Sequence, residues 1–138
     1  MQTGFEINTR GQGLYEVTRD VALWLSGAGD GLLTLLVQHS SASLLIQENA
    51  DPDVQRDLCA YFSRLVPRGD TPEMSYLVHT LEGPDDMPAH IKAAMLPVSL
   101  SIPVQRGRLV LGTWQGIYLF EHRDAPHTRK LTAHFRAD

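Results

Sequence analysis

Two histidines and three carboxylates, His79, Glu82, Asp85, Asp86 and His90, lie close together in the stretch Tyr76–His90, which Gly83, Pro84 and Pro88 interrupt. Buried carboxylates have to be paired or ligated, so a core has little use for such a segment. Glycine and proline hold a backbone in turns, which lets side chains converge instead of spreading along a regular element. Imidazole and carboxylate together suit Zn²⁺, Mn²⁺ or Fe²⁺, whereas carboxylates alone suit Mg²⁺ or Ca²⁺. The same residues would also serve as a solvated acidic turn with a surface histidine on each flank. Asp85 and Asp86 have a further use, since acids ahead of a helix starting near Pro88 complement its dipole. That use does not extend to Glu82 or His79.

Two other places bear chemistry. His39-Ser40-Ser41-Ala42-Ser43 follows an apolar run, and its hydroxyls and backbone N–H groups suit a phosphate, or equally a polar strand edge. Ser–His nucleophilic catalysis has little support there, because neighbours in a strand point to opposite faces and no GxSxG elbow is present. In Ile117–Arg123, alternation puts Tyr118, Phe120 and His122 on one face, with Glu121 and Arg123 on the other. Lys92 sits roughly 200° around a helix from His90, on a different face.

These groups need a scaffold, and the chain of 138 residues suits one domain spanning 1–138. A hydrophobic content of 43% and a charged content of 20% are those of a folded globular protein. The net charge of -4 argues against nucleic-acid binding. A lone cysteine, Cys59, excludes an intrachain disulfide and fits a cytoplasmic setting. Met1–Arg10 has no apolar run of the kind a secretory signal needs, and no apolar run reaches membrane-spanning length.

The periodicities predict a strand at Phe5–Thr9 and a helix over about Leu14–Ser26. Leu32–His39 should be a central strand covered on both faces. Asp51 caps a helix opened by Pro52, whose buried face is Val54, Leu58, Tyr61, Phe62 and Leu65. A third helix from Pro88 should bury Met87, Ile91, Ala94 and Met95. Strands follow at Val98–Val104, Leu109–Leu111, Ile117–Arg123 and Leu131–Arg136. Helices and strands are segregated, which indicates α+β. No GxGxxG or P-loop is present, so no nucleotide cofactor is expected.

Four segments carry a resemblance: His39–Ser43, Glu48–Val54, Glu82–Lys92 and Gly107–Arg123. Together they resemble the YjbQ-like family, small proteins often named secondary thiamine-phosphate synthases, and the match runs nearly end to end. The resemblance implies a β-sandwich-like sheet with a few helices, a homotrimer, and a pocket of histidines and acids with a divalent metal, Zn or Mg. It also implies a reaction joining a hydroxymethylpyrimidine diphosphate to a thiazole phosphate with loss of diphosphate. In that chemistry His39, His79 and His90 are candidate metal ligands, and His122 is a ligand or proton carrier. Glu82 and Asp86 hold the metal or orient an imidazole. Ser41, Ser43, Arg123 and Lys92 bind phosphate. Two alternatives use the same groups. One is a metal-dependent hydrolase of a small metabolite, and the other is a non-catalytic metabolite- or metal-binding protein.

Overall fold

A computed structural model describes residues 1–138. The alternating segments form eight strands in two antiparallel sheets. They are β1 (Gln2–Asn8), β2 (Gly13–Glu16), β3 (Gly31–Val37), β4 (Ala42–Glu48), β5 (Ser99–Gln105), β6 (Arg108–Leu109), β7 (Gln115–Glu121) and β8 (Thr128–Ala137). One sheet has the order β1-β8-β3-β5-β6 and the other β2-β7-β4. Three helices complete the chain: α1 (Thr18–Trp24), α2 (Pro52–Leu65) and α3 (Asp86–Met95). The fold is thus α+β.

The apolar parity of each strand decides how the layers stack. Leu33, Leu35 and Val37 of β3, Ile102 and Val104 of β5, and Leu131, Ala133 and Phe135 of β8 face inward from the larger sheet. They meet Ala42 and Leu44 of β4, Ile117 and Leu119 of β7, and Val17, Val21 and Leu25 at α1. The other face of the small sheet lies under the helices: Phe62 of α2 stacks edge-on against Phe120, 5.8 Å between centroids. Asp51 caps α2 by accepting from the Asp53 N–H at 2.9 Å.

Four expectations change. Leu14–Glu16 pairs with β7 as a strand, and the helix begins only at Thr18. Leu14, Val17 and Val21 share a helical face, yet Gly13–Glu16 pairs along the edge of β7 instead. β3 is central but covered on one face only, leaving Leu32 and Leu36 each 45% exposed. The apolar stripe of α2 is half-buried at Val54, Leu58 and Phe62, while Tyr61 and Leu65 are exposed. Cys59 on that helix is likewise half-buried, and burial raises its pKa. Finally, α3 turns a different face inward: Asp86, Ala89, Lys92 and Ala93 are buried, and Met95 is exposed. Its two alanines allow close approach to β4, and ion pairs and hydrogen bonds, not apolar packing, accommodate Asp86 and Lys92.

Candidate metal centre

The segment between α2 and α3 has little regular structure: a single 3-10 turn at Pro72–Met74, then extended and turn residues to Asp85. It delivers His79 and Glu82 to the start of α3. Asp86 and His90 are four residues apart on that helix and so share a face. One ligand atom from each of His79, Glu82, Asp86 and His90 lies within 4.8 Å of the others.

Asp86 is the hub. Its side chain is 2% exposed. Its Oδ2 lies 2.8 Å from His79 Nε2 and 3.4 Å from His90 Nε2. Glu82 Oε2 is 3.6 Å from His79 Nε2. Burial works against ionisation of Asp86, but the contacts with Glu82, His79 and Arg123 outweigh it and hold the carboxyl below its ordinary range. Arg123, just past the end of β7, donates from NH1 to Asp86 Oδ1 at 2.7 Å and from Nε to Asp85 Oδ2 at 2.8 Å. Asp85 stands at the N-cap position of α3 yet makes no capping hydrogen bond. Its carboxylate serves Arg123 and the Asp124 N–H instead.

His90 has its tautomer set by the backbone. A carbonyl can only accept, so Nδ1 donates to the Ser40 carbonyl at 3.0 Å. The neutral ring then carries its lone pair on Nε2, facing Asp86 Oδ2 at 3.4 Å. A lone pair and a carboxylate oxygen turned toward each other leave a place for a cation. Metal-binding histidines commonly donate their second nitrogen to a carbonyl in this way.

A family model for UPF0047 protein YjbQ-like matches residues 3–138. The chain belongs to the YjbQ-like UPF0047 family. A UPF0047 protein of Synechocystis is 47% identical over 130 residues, 93% of this chain and 86% of its own length. The UPF0047 protein YjbQ of Salmonella typhimurium is 44% identical over 135 residues, 96% of this chain and 94% of its own. The crystal structure of a hypothetical protein from Aeropyrum pernix superposes with a TM-score of 0.86 at 30% identity, covering 100% of this chain and 99% of that one. A conserved hypothetical protein of Thermus thermophilus gives 0.84 at 35% identity, covering 97% and 99%.

Within this YjbQ-like chain the other candidates stand apart from the cluster. His39 lies past the end of β3, where its Nε2 accepts from the Lys130 N–H at 2.7 Å. Burial and the charge of Arg129 lower its pKa. It shares a groove with His90 but brings no ligand atom to the four-residue centre. Ser41 Oγ accepts from Arg129 NH2 at 3.0 Å. Ser43 is fully buried, its Oγ 2.8 Å from His122 Nε2. Neither serine faces open space. Lys92 is buried on the opposite side of α3, where its Nζ donates to Gln12 Oε1 at 3.3 Å.

His122 is 1% exposed, and burial followed by the charge of Lys92 pushes its pKa down to about 3. The folded protein holds this ring neutral, whereas the unfolded chain protonates it below about 6.5. The unfolded state therefore binds more protons between these values, and stability falls as pH drops through that window. Unfolding free energies from urea titrations between pH 6.5 and 5 should decline by up to about 1.4 kcal/mol per pH unit for wild type. His122→Gln should show a shallower decline, and parallel slopes would refute the assignment.

Sequence reasoning missed one buried group of residues. Glu121 is fully buried, accepting from Arg129 Nε at 2.8 Å and from Thr9 Oγ1 at 2.6 Å. Its parity with Ile117 and Leu119, and that of Arg129 with Leu131, place both on the core side, and this was the available clue.

Proposed function

We propose that this protein is a metal-dependent transferase acting on a diphosphate-activated small metabolite, in the manner of a thiamine-phosphate synthase. The His79–Glu82–Asp86–His90 cluster supports this, and the fixed tautomer of His90 is the observation that carries it. Two imidazoles with two carboxylates fit a divalent ion, Zn²⁺ or Mn²⁺ better than Mg²⁺. Such an ion supplies Lewis acidity that offsets the charge of a departing diphosphate. The protein's own groups do the positioning. Ser40 orients His90, Asp86 orients His79, and Arg123 anchors Asp86 while spreading positive charge beside the site. A cavity of about 260 Å³, lined by His79, Gly83 and Met87, adjoins the cluster and has room for a small substrate.

Hydrolysis is the second reading, favoured by exposure: the side chains of His79 and Glu82 are 50% and 61% exposed, so water reaches the cluster freely. The exposed Leu32 and Leu36 on the outer face of β3 suit the homotrimer expected from the resemblance.

Elemental analysis of tag-free protein tests the first reading. Wild type should carry about one divalent ion per chain, and His90→Ala should lose it. Thiamine phosphate should form from the two phosphorylated precursors only with the ion present. Phosphate release from generic esters, without any thiazole requirement, would establish hydrolysis instead. A metal-free wild type would sink both. Light scattering on the same sample should give three chains per particle, and a monomer would remove the trimer.

A further inference from the structure

On the side of α3 facing away from the histidines, a cavity of about 350 Å³ opens between the end of α2, the loop that follows it, and α3 itself. Its polar lining comes from Gln12, Ser63, Arg68, Thr71, Asp85 and Lys92. Most of the charge here is matched within the protein. Arg68 NH1 donates to Asp124 Oδ2 at 2.8 Å, and Asp85 Oδ2 is taken by Arg123 and the Asp124 N–H. Lys92 is the exception. It is 4% exposed and its ammonium donates to one neutral oxygen, Gln12 Oε1, with no salt bridge.

An ammonium has three donors, and burial without an ion pair leaves two of them open to a ligand. Here the site is also held ready. Gln12 Nε2 donates to Asp124 Oδ1 at 2.8 Å, which turns its carbonyl oxygen toward Lys92. The neighbouring His122 has a buried Nδ1 with no hydrogen-bond partner and offers no negative charge. A buried, oriented cation lining an open cavity, with an arginine and two hydroxyl residues on the same wall, matches what a phosphate group requires.

We propose that this cavity is an anion site, which takes the phosphate or diphosphate group of a small metabolite on Lys92 Nζ with Arg68 contributing from the wall. The site is separate from the metal cluster, and it gives Lys92, one of the four residues expected from the resemblance to bind phosphate, a cavity to bind it in. The two sites are nonetheless joined: Arg123 grips Asp85 on the cavity side and Asp86 in the cluster, and Pro88 borders both this cavity and the one beside His79.

Calorimetric titration with inorganic diphosphate, in excess chelator, tests it on the whole chain. Wild type should bind, and Lys92→Met, which preserves the length of the side chain, should bind roughly 10- to 100-fold more weakly. Arg68→Met removes the second cation of the wall and should weaken binding by about 3- to 5-fold. It decides the matter if Lys92→Met does not fold, because unchanged affinity would then overturn the proposal. Equal affinity in wild type and folded Lys92→Met would also overturn it. So would binding seen only without chelator, which would assign the diphosphate to the metal cluster. The metal content of the same samples separates failure here from failure of the metal reading.

Discussion

Asp86→Ala should lower the affinity for a divalent ion by at least about 100-fold, more than loss of a partner outside the coordinating set. The expectation follows from how many groups depend on that carboxylate. It lies 2.8 Å from His79 and 3.4 Å from His90, and it accepts one of the two hydrogen bonds by which Arg123 ties β7 to α3. Its alanine replacement removes a ligand and frees His79, while His90 keeps only its bond to the Ser40 carbonyl. Asp86→Asn is the sharper control, keeping the shape while losing the charge, and it should also lose the metal. Competition against a chelating dye, with circular dichroism to establish folding, measures both variants. A folded Asp86→Asn protein with wild-type affinity would show that the cluster is an acidic turn and not a metal centre.

Arg129→Met should cost about 3–5 kcal/mol of stability, because it leaves Glu121 buried without its counter-charge. Both side chains are nearly inaccessible, 5% exposed for Arg129 and 0% for Glu121. Thr9 and the N–H groups of His122 and Arg123 would still donate to the carboxylate, but they do not supply a full charge. Although burial opposes its ionisation, these partners together with Arg129 hold Glu121 below its usual range. Its contribution is therefore present above about pH 4.5 and is lost as pH falls through the folded value. Adding Glu121→Leu to Arg129→Met should restore much of the loss, since an apolar pair of similar size avoids the burial of charge. Urea denaturation of the single and double variants reads the difference. A single variant within about 1 kcal/mol of wild type, the value of an exposed pair, would contradict the account.

The strands were legible where one residue in two had to face the core. β3, β7 and β8 follow the alternation of Leu33-Leu35-Val37, Ile117-Leu119 and Leu131-Ala133-Phe135. The cap at Asp51 was legible because Asp-Pro-Asp has a local cause. β2 was not, since the spacing of Leu14, Val17 and Val21 is helical, and pairing of Gly13–Glu16 along the edge of β7 overrides it. Nor was the buried face of α3. There the inward positions are two alanines, a proline, an aspartate and a lysine, and hydropathy ranks Met87, Ile91 and Met95 above all of them. The same limit applied to the site. His79, Glu82, Asp86 and His90 lie close in sequence around one turn, so their convergence was foreseeable. The separation of His39 and His122 from them was not, because it depends on partners in β8 and β4 that no local spacing encodes.

The strand order of the larger sheet bears on how the protein is made. β8 lies between β1 and β3, and its register with both is continuous from Gln2↔His134 to Asn8↔Thr128 and from Gly31↔Ala137 to Val37↔Leu131. About 90 residues separate the end of β3 from the start of β8. A ribosome working at about 5–20 residues per second needs on the order of ten seconds to deliver them. During that interval β1 and β3 have emerged, yet each lacks the neighbour that joins them. Arg129, which neutralises Glu121, arrives on that same late strand. Joining of β1 to β3 and closure of the charged end of the core are therefore one event that waits for β8. Until then the nascent chain presents unpaired apolar edges, the part of its life in which it is most open to wrong partners.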